Sequence, residues 1–258
     1  MRIGVLWKAL AALGLLLILG TAAAITYFNQ TRPQALGLVT ATPRTEAPSP
    51  SPDDPLAQVC RRPAVPGNAT STGVRGLWVI QPRSIAGYRA REQFAELTSP
   101  HEAVARTDRL SGWLLVGGTD VSLEVVTGCI VVDVRGLRSV DELPGLNTSD
   151  RDETARDRLG ARTHPFVVFQ PYPAALKLSP TTDVVQRATL AGDLEISGVT
   201  KPASFGLDVR LNDRQVTAAG HATVQVDEFG VQLPELGNGF VEVNPNITLE
   251  VSLILLKA

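Results

Sequence analysis

An all-β fold closed into an antiparallel barrel of about eight strands is what the sequence predicts for residues 74–258, and three observations predict it. Segment after segment alternates apolar and polar residues with a period of two, the mark of strands with one apolar and one wet face. Almost no amphipathic helical pattern comes between them. A sheet built only of such strands must also deal with its edges, and closure into a barrel removes them. A β-sandwich is the alternative. The two differ in consequence, because an eight-stranded barrel can hold a small apolar ligand.

The chain reads in three parts. Residues 1–30 carry Arg2 and Lys8 and then a largely apolar run from Ala9 to Phe28, long enough to cross a bilayer as a helix. The leading positive charges keep the N-terminus inside and send the remainder out, so the expectation is a single-pass membrane anchor with an extracytoplasmic body. A cleaved signal segment is the rival, since Ala22 and Ala24 offer a small-residue cleavage pattern; it would leave the body secreted. Residues 31–73 hold prolines at 33, 43, 48, 50, 52, 55, 63 and 66 and few large apolar side chains. That composition predicts a disordered, semi-stiff tether that keeps the folded domain off the membrane.

Cys60 and Cys129 are the two cysteines. Outside the cytoplasm such a pair can oxidise, and a bridge across so long a loop stabilises by roughly 4 kcal/mol in the chain-entropy model. The alternative is a buried strand thiol at Cys129 and an unrelated thiol at Cys60. A lipidated Cys60 is rejected, because Val59 stands where a small residue is needed.

Within 74–258 the alternation is clearest in three places. In "PASFGLDV" the positions Ala203, Phe205, Leu207 and Val209 are apolar or small; in "VTAAGHATVQV" the set is Val216, Ala218, Ala222, Val224 and Val226. The final "ITLEVSLILL" aligns Ile247, Leu249, Val251, Leu253 and Leu255. Further strands are expected at "GLWVI", "WLLV", "VSLEVVTGCIVVDV", "PFVVF" and "ATLAGDLEI". The exception is Ser149–Ala161, with Ser149 as cap, Asp152 spaced i,i+4 from Arg156 and Gly160 as stop. It reads as one short helix with a solvated charged face. "SGVTK", Ser197 to Lys201, reads as a tight hairpin corner in which Gly198 supplies an unusual φ. Lys201 is one of four lysines against twenty arginines, which makes it a candidate for contact with a ligand head group.

Several of these stretches together resemble the YceI-like family of lipid- and polyisoprenoid-binding proteins, across residues 74–258. The series runs "LWVIQPRSIAGYRARE", "EAVARTDRLSGWLLV", "DRDETARDRL", "HPFVVF", "GDLEISGVTKPASFGLDV" and "VDEFGV". Its strongest piece is Gly192, Leu194 and Ile196 leading into Gly198–Pro202; Arg151–Asp152 and the strand from Pro165 to Phe169 support it. The resemblance implies an extended, lipocalin-like barrel whose apolar lumen holds the isoprenoid tail of a lipid such as a quinone precursor or a polyprenyl phosphate. This chain departs from the pattern in two places. "RLGARTH" replaces a Phe-rich segment, and Asp227–Glu228 precedes the late "FGV". Both bear on the ligand more than on the fold.

Lumen candidates are the large apolar residues on the regular faces: Trp78, Trp113, Phe166, Phe169, Leu194, Ile196, Phe205, Leu207 and Phe229. Each could equally be ordinary barrel core. Phe166 and Phe169 stand three positions apart, so a regular strand cannot point both inward. Catalysis has little support. His101, His164 and His221 stand alone without a second ligand at metal spacing, and no nucleophile elbow, Walker loop or G-x-G-x-x-G pattern is present. The net charge of −2 gives no case for nucleic acid. The expectation is a cell-envelope, membrane-tethered binding protein with no cofactor other than a bound isoprenoid lipid or quinone. The rival is an envelope structural or adaptor protein whose barrel its own side chains fill. An enzyme acting on lipid would need titratable groups converging at the barrel mouth. Whether the barrel pairs into a homodimer is left open by the sequence.

Overall fold

The computed structural model describes residues 32–39, 54–63, 73–95, 100–119, 122–142, 147–179, 184–211, 215–235 and 240–258. The apolar N-terminal run and most of the tether's prolines lie outside the described residues. No helix among the described residues is long and apolar enough to cross a membrane.

Ahead of the sheet stands a short helix, α1 (Pro55–Val59), capped by Asp54. The alternating segments then form β1 (Gly76–Ile80), β2 (Ile85–Phe94), β3 (His101–Thr107), β4 (Leu110–Gly118), β5 (Leu123–Asp133) and the two-residue β6 (Arg138–Ser139). Helix α2 (Thr148–Arg158) follows, then β7 (Phe166–Pro171), β8 (Ala174–Leu176), β9 (Gln186–Ile196) and β10 (Val199–Leu211). β11 (Gln215–Gln225), β12 (Val241–Val243) and β13 (Asn246–Lys257) complete the sheet.

Eight strands close a ring in the order β1, β4, β5, β7, β9, β10, β11, β13, all antiparallel neighbours. The seam is where Trp78, Val79 and Ile80 pair with Lys257, Leu256 and Leu255. Lower on β13 the same edge pairs instead with β2, from Thr248↔Arg89 to Ser252↔Ile85. The sheet therefore forks. β2, β3 and β6 continue one wall beyond the ring, and α2 lies against β6 at that end. That is the helix end of the barrel; the opposite, far end carries Val74, Leu123 and Leu211.

The β9–β10 hairpin turns on Ser197 (φ 52°) and Gly198 (φ 79°), two successive left-handed residues as a type I′ turn requires. A Cβ on Gly198 would also stand 2.7 Å from the His164 ring, so a side chain there would have to displace that imidazole. The "SGVTK" stretch is thus a sheet corner.

Two sequence expectations need correction. Helix α2 is capped two residues earlier than expected, by Asn147 rather than Ser149, and it is not a detached surface helix. Asp152 is buried and accepts from the Ser139 backbone N–H (2.9 Å) and hydroxyl (2.5 Å), while Arg156 donates to the Leu137 carbonyl rather than pairing with Asp152. With only Ala155 and Leu159 apolar, the helix is fastened by its polar groups. The stretch 31–73, expected as a free tether, is also held in two described pieces. Residues 32–39 cross the outside of β13, β2 and β3, and residues 54–63 cover β4 and β5. Buried hydrogen-bonding groups and a disulfide on the wall supply what that composition lacks in apolar surface.

Alternation puts apolar side chains on both faces of the wall. The inner set forms the main core, including Trp78, Ile130, Phe169, Leu194, Phe205 and Leu255. The outer set is Leu77, Val79, Trp113, Cys129 and Val131, packed with Cys60, Leu56 and Phe166. Cys60 and Cys129 form a disulfide, with Cα atoms 5.5 Å apart.

Candidate functional site

The inner face does not close on itself. It bounds a cavity of about 490 Å³ that runs the length of the barrel, within the about 300–1,000 Å³ of small-molecule sites. At the far end it is bounded by Val74, Leu123, Leu178 and Leu211, all buried. At the helix end its lining includes exposed residues of α2 and the residue before it: Asn147, Asp150, Thr154 and Arg158.

Six of the nine lumen candidates line the cavity: Trp78, Phe169, Leu194, Ile196, Phe205 and Leu207. Phe169 and Phe205 meet edge to face with centroids 5.1 Å apart. Trp78 is anchored by its indole N–H to the Val74 carbonyl at 2.7 Å. Three candidates stand elsewhere. Trp113 points outward, packed beside the disulfide, with its indole N–H on the Cys60 carbonyl at 3.2 Å. Phe166 is also outside, under the Arg135 guanidinium at 5.5 Å. Phe229 sits on the 3-10 turn Val226–Phe229 and fills core, but does not line the cavity. The reason in the first two cases is parity: Trp113 pairs with Val79 and Cys129, and Phe166 with Asp133, all on the outer side of their strands.

Lys201 pairs with Leu194, which places it on the lumen side of the sheet close to the Ser197–Gly198 corner, yet it is half-buried and outside the cavity lining. His221 is exposed on the outer face of β11. Among the described residues no group of three or more His, Cys, Asp or Glu side chains could hold a metal.

What sequence reasoning missed is the polar end of the lumen. Tyr88, Ala90 and Glu92 alternate inward along β2, and Glu92 meets Arg151 of α2 (3.5 Å). Arg151 Nη2 also donates to both Asp141 oxygens (2.6 and 2.7 Å) and to Ser139 Oγ (2.7 Å). Asp141 in turn accepts from the Val104 backbone (2.8 Å) and faces His101 Nε2 at 2.7 Å.

The two carboxylates beside Arg151 are driven in opposite directions. Burial works to raise Asp141, but hydrogen bonds from His101, Arg151 and the Val104 N–H outweigh it and hold its pKa at about 2. Burial dominates at Glu92, whose pKa is raised because its single long contact with Arg151 compensates less. The Tyr88 hydroxyl is pushed up chiefly by burial, with Glu92 adding to it. Titratable groups do converge at this end, but Arg151 is already neutralised by Asp141. What remains facing the lumen is an un-ionised phenol and a weakly acidic carboxyl, able to exchange hydrogen bonds with a polar head. The signal for this was in the sequence: "GYRARE" alternates Tyr88 and Glu92 with Arg89 and Arg91, and Arg151–Asp152 belongs to the family resemblance.

Fold and site together define a class, an antiparallel barrel with a continuous apolar lumen and one polar end. The description "YceI-like domain" matches residues 94–255, more than half of the chain, and the chain belongs to this family. No curated protein matches it. Among solved structures it is similar to BcnA of Burkholderia cenocepacia, at 14% identity and a TM-score of 0.48, over 66% of this chain and 95% of that one. It is also similar to a polyisoprenoid-binding domain from Saccharophagus degradans implicated in plant cell wall breakdown. There the identity is 12% and the TM-score 0.48, over 70% of this chain and 98% of that one.

Proposed function

We propose that this protein holds an amphiphile with an isoprenoid or other long apolar tail in its lumen, tethered to the outer side of a membrane by residues 9–28, and carries, stores or sequesters it. One observation carries the reading: the described residues leave about 490 Å³ of continuous apolar space inside the barrel. A barrel built as an adaptor would fill that space, because an unfilled cavity costs stability in proportion to its volume. Each methylene of a tail buried there contributes roughly 0.8 kcal/mol. Membership in the YceI-like family supports the same class of ligand.

The head group would lie at the helix end. Glu92, Tyr88 and the Arg151–Asp141 pair offer hydrogen bonds without a surplus of positive charge. A neutral head such as a quinone or alcohol suits that environment better than a diphosphate, which needs uncompensated cations.

Trp78 reports on occupancy. In a Trp7→Phe, Trp113→Phe background it is the sole tryptophan, and it lines the cavity. Titration with decyl-benzoquinone should quench it saturably. Linear, unsaturable quenching identical to that of free tryptophan would contradict the proposal.

A further inference from the structure

The piece of chain at 32–39 does more than cover a wall. Read from Gly37 back to Pro33, its contacts descend β13 toward the helix end. Ser252 Oγ donates to the Gly37 carbonyl (2.7 Å), the Leu36 N–H to Glu250 Oε2 (3.2 Å), and Arg89 Nη2 to the Pro33 carbonyl (2.9 Å); Arg89 itself pairs with Thr248. The strap is seated on a built network. Glu250, whose side chain is 3% exposed, accepts from Arg89 Nε (2.9 Å) and Arg106 Nε (2.8 Å), and Arg106 also donates to the Gln34 carbonyl. Charge-assisted bonds of this kind are among the stronger ones available to fix a segment's direction.

That direction has a consequence for the apolar run Ala9–Phe28. Phe28 precedes Pro33 by five residues, so it can lie no more than about 17 Å from it, at most about 3.3–3.6 Å per residue. Phe94, at the helix end of β2, follows Arg89 by five residues, also about 17 Å at the rise of a strand. The apolar run therefore cannot end much farther out than the helix-end rim. That rim carries Phe240, 81% exposed, with its carbonyl bonded to the Ala95 N–H at 3.0 Å. The exposed charges nearby, Arg91 and Arg158 against Asp150, Glu235 and Glu242, show no basic surplus for anionic lipid.

We propose that the strap turns the helix end of the barrel onto the bilayer surface, with Phe240 at the lipid interface, so that the lumen opens toward the membrane. This rests on the reading of residues 9–28 as a membrane anchor. The contact is held by the short covalent span and an apolar side chain, not by charge, and so fits a zwitterionic surface.

The test uses the full chain in phosphatidylcholine nanodiscs. The two native cysteines are joined, so a single introduced cysteine takes a fluorophore selectively. Ala95→Cys labels the rim beside Phe240, and Ser122→Cys labels an exposed site at the far end. Head-group spin-labelled lipid should quench the rim probe several-fold more than the far-end probe. Inserting a flexible Gly/Ser stretch of about 20 residues after Asn29, about 25 Å in r.m.s. span, should abolish most of that difference. Equal quenching at the two sites overturns the orientation. Quenching unchanged by the insertion overturns the strap as its cause. A chain that does not remain with the nanodisc overturns the anchor and this inference with it, while the lumen proposal, read by ligand binding, stands or falls separately.

Discussion

The two apolar faces of the barrel wall are built from the same kinds of residue and have opposite fates. Outside, Trp113, Val79, Val131 and Phe166 are covered by α1 and by the Cys60–Cys129 disulfide. Inside, Trp78, Phe169, Leu194 and Phe205 surround space that no described part of the chain fills. Apolar patterning is therefore not what marks a binding surface here. The distinction lies in what covers it, and among the described residues a cover is provided for only one of the two faces.

The largest expected effect comes from uncovering the outer face. Cys60→Ser with Cys129→Ser releases a cross-link spanning 69 residues, worth roughly 4 kcal/mol in the chain-entropy model. Thermal unfolding should shift down accordingly and Trp113 emission should move to the red, while lumen binding by the folded fraction is retained. Loss of binding at equal folded fraction would mean that the two faces are not independent.

Next is the polar end of the lumen. Asp141→Asn leaves Arg151 without its close partner, a change that costs about 3 kcal/mol for a buried pair. The wild-type pH dependence has a definite sign. Asp141 is depressed to about 2 from 3.8, so its contribution is fully present above pH 4 and is lost as pH falls toward 2, on the order of 2 kcal/mol. Denaturant unfolding from pH 5 down to pH 2 should show that loss in wild type and less of it in the variant.

Filling the inner face should separate binding from stability. Ala188 lines the cavity opposite Leu207, and Ala188→Trp adds bulk to empty space. A packed core resists such a change by about 1–3 kcal/mol; here the melting temperature should hardly move, while quinone affinity falls tenfold or more. The smallest effect is expected from Glu92→Gln. Its carboxyl is raised by burial, so its ionised form opposes folding once pH exceeds the ordinary carboxylate range. Removing the charge should leave stability at pH 7 unchanged or slightly higher, in contrast to Asp141→Asn.

The strands were legible because period-two alternation survives in the sequence wherever one face is wet. Phe166 and Phe169 had to diverge, and they do. Trp113 was not assignable, because "SGWLLV" offers large apolar residues to both faces and the cover on the outer one comes from a distant, Pro-rich stretch. Had the disulfide been taken as given, Cys129 would have identified the outer side of β5. The polar end escaped for a different reason. Arg151 and Asp152 look like surface helix charges until β6 and β2 bring Ser139, Asp141 and Glu92 against them, contacts that no local spacing encodes.

On the proposed function, the lumen that the described residues leave open is there to be filled by a lipid tail. Native mass spectrometry of the protein isolated gently from the cells that make it, followed by organic extraction, is the measurement to make. One long-tailed amphiphile per chain is expected, released on denaturation and absent from the Ala188→Trp variant prepared alongside. A mass equal to the bare chain, unchanged after incubation with polyprenols and quinones, would contradict it.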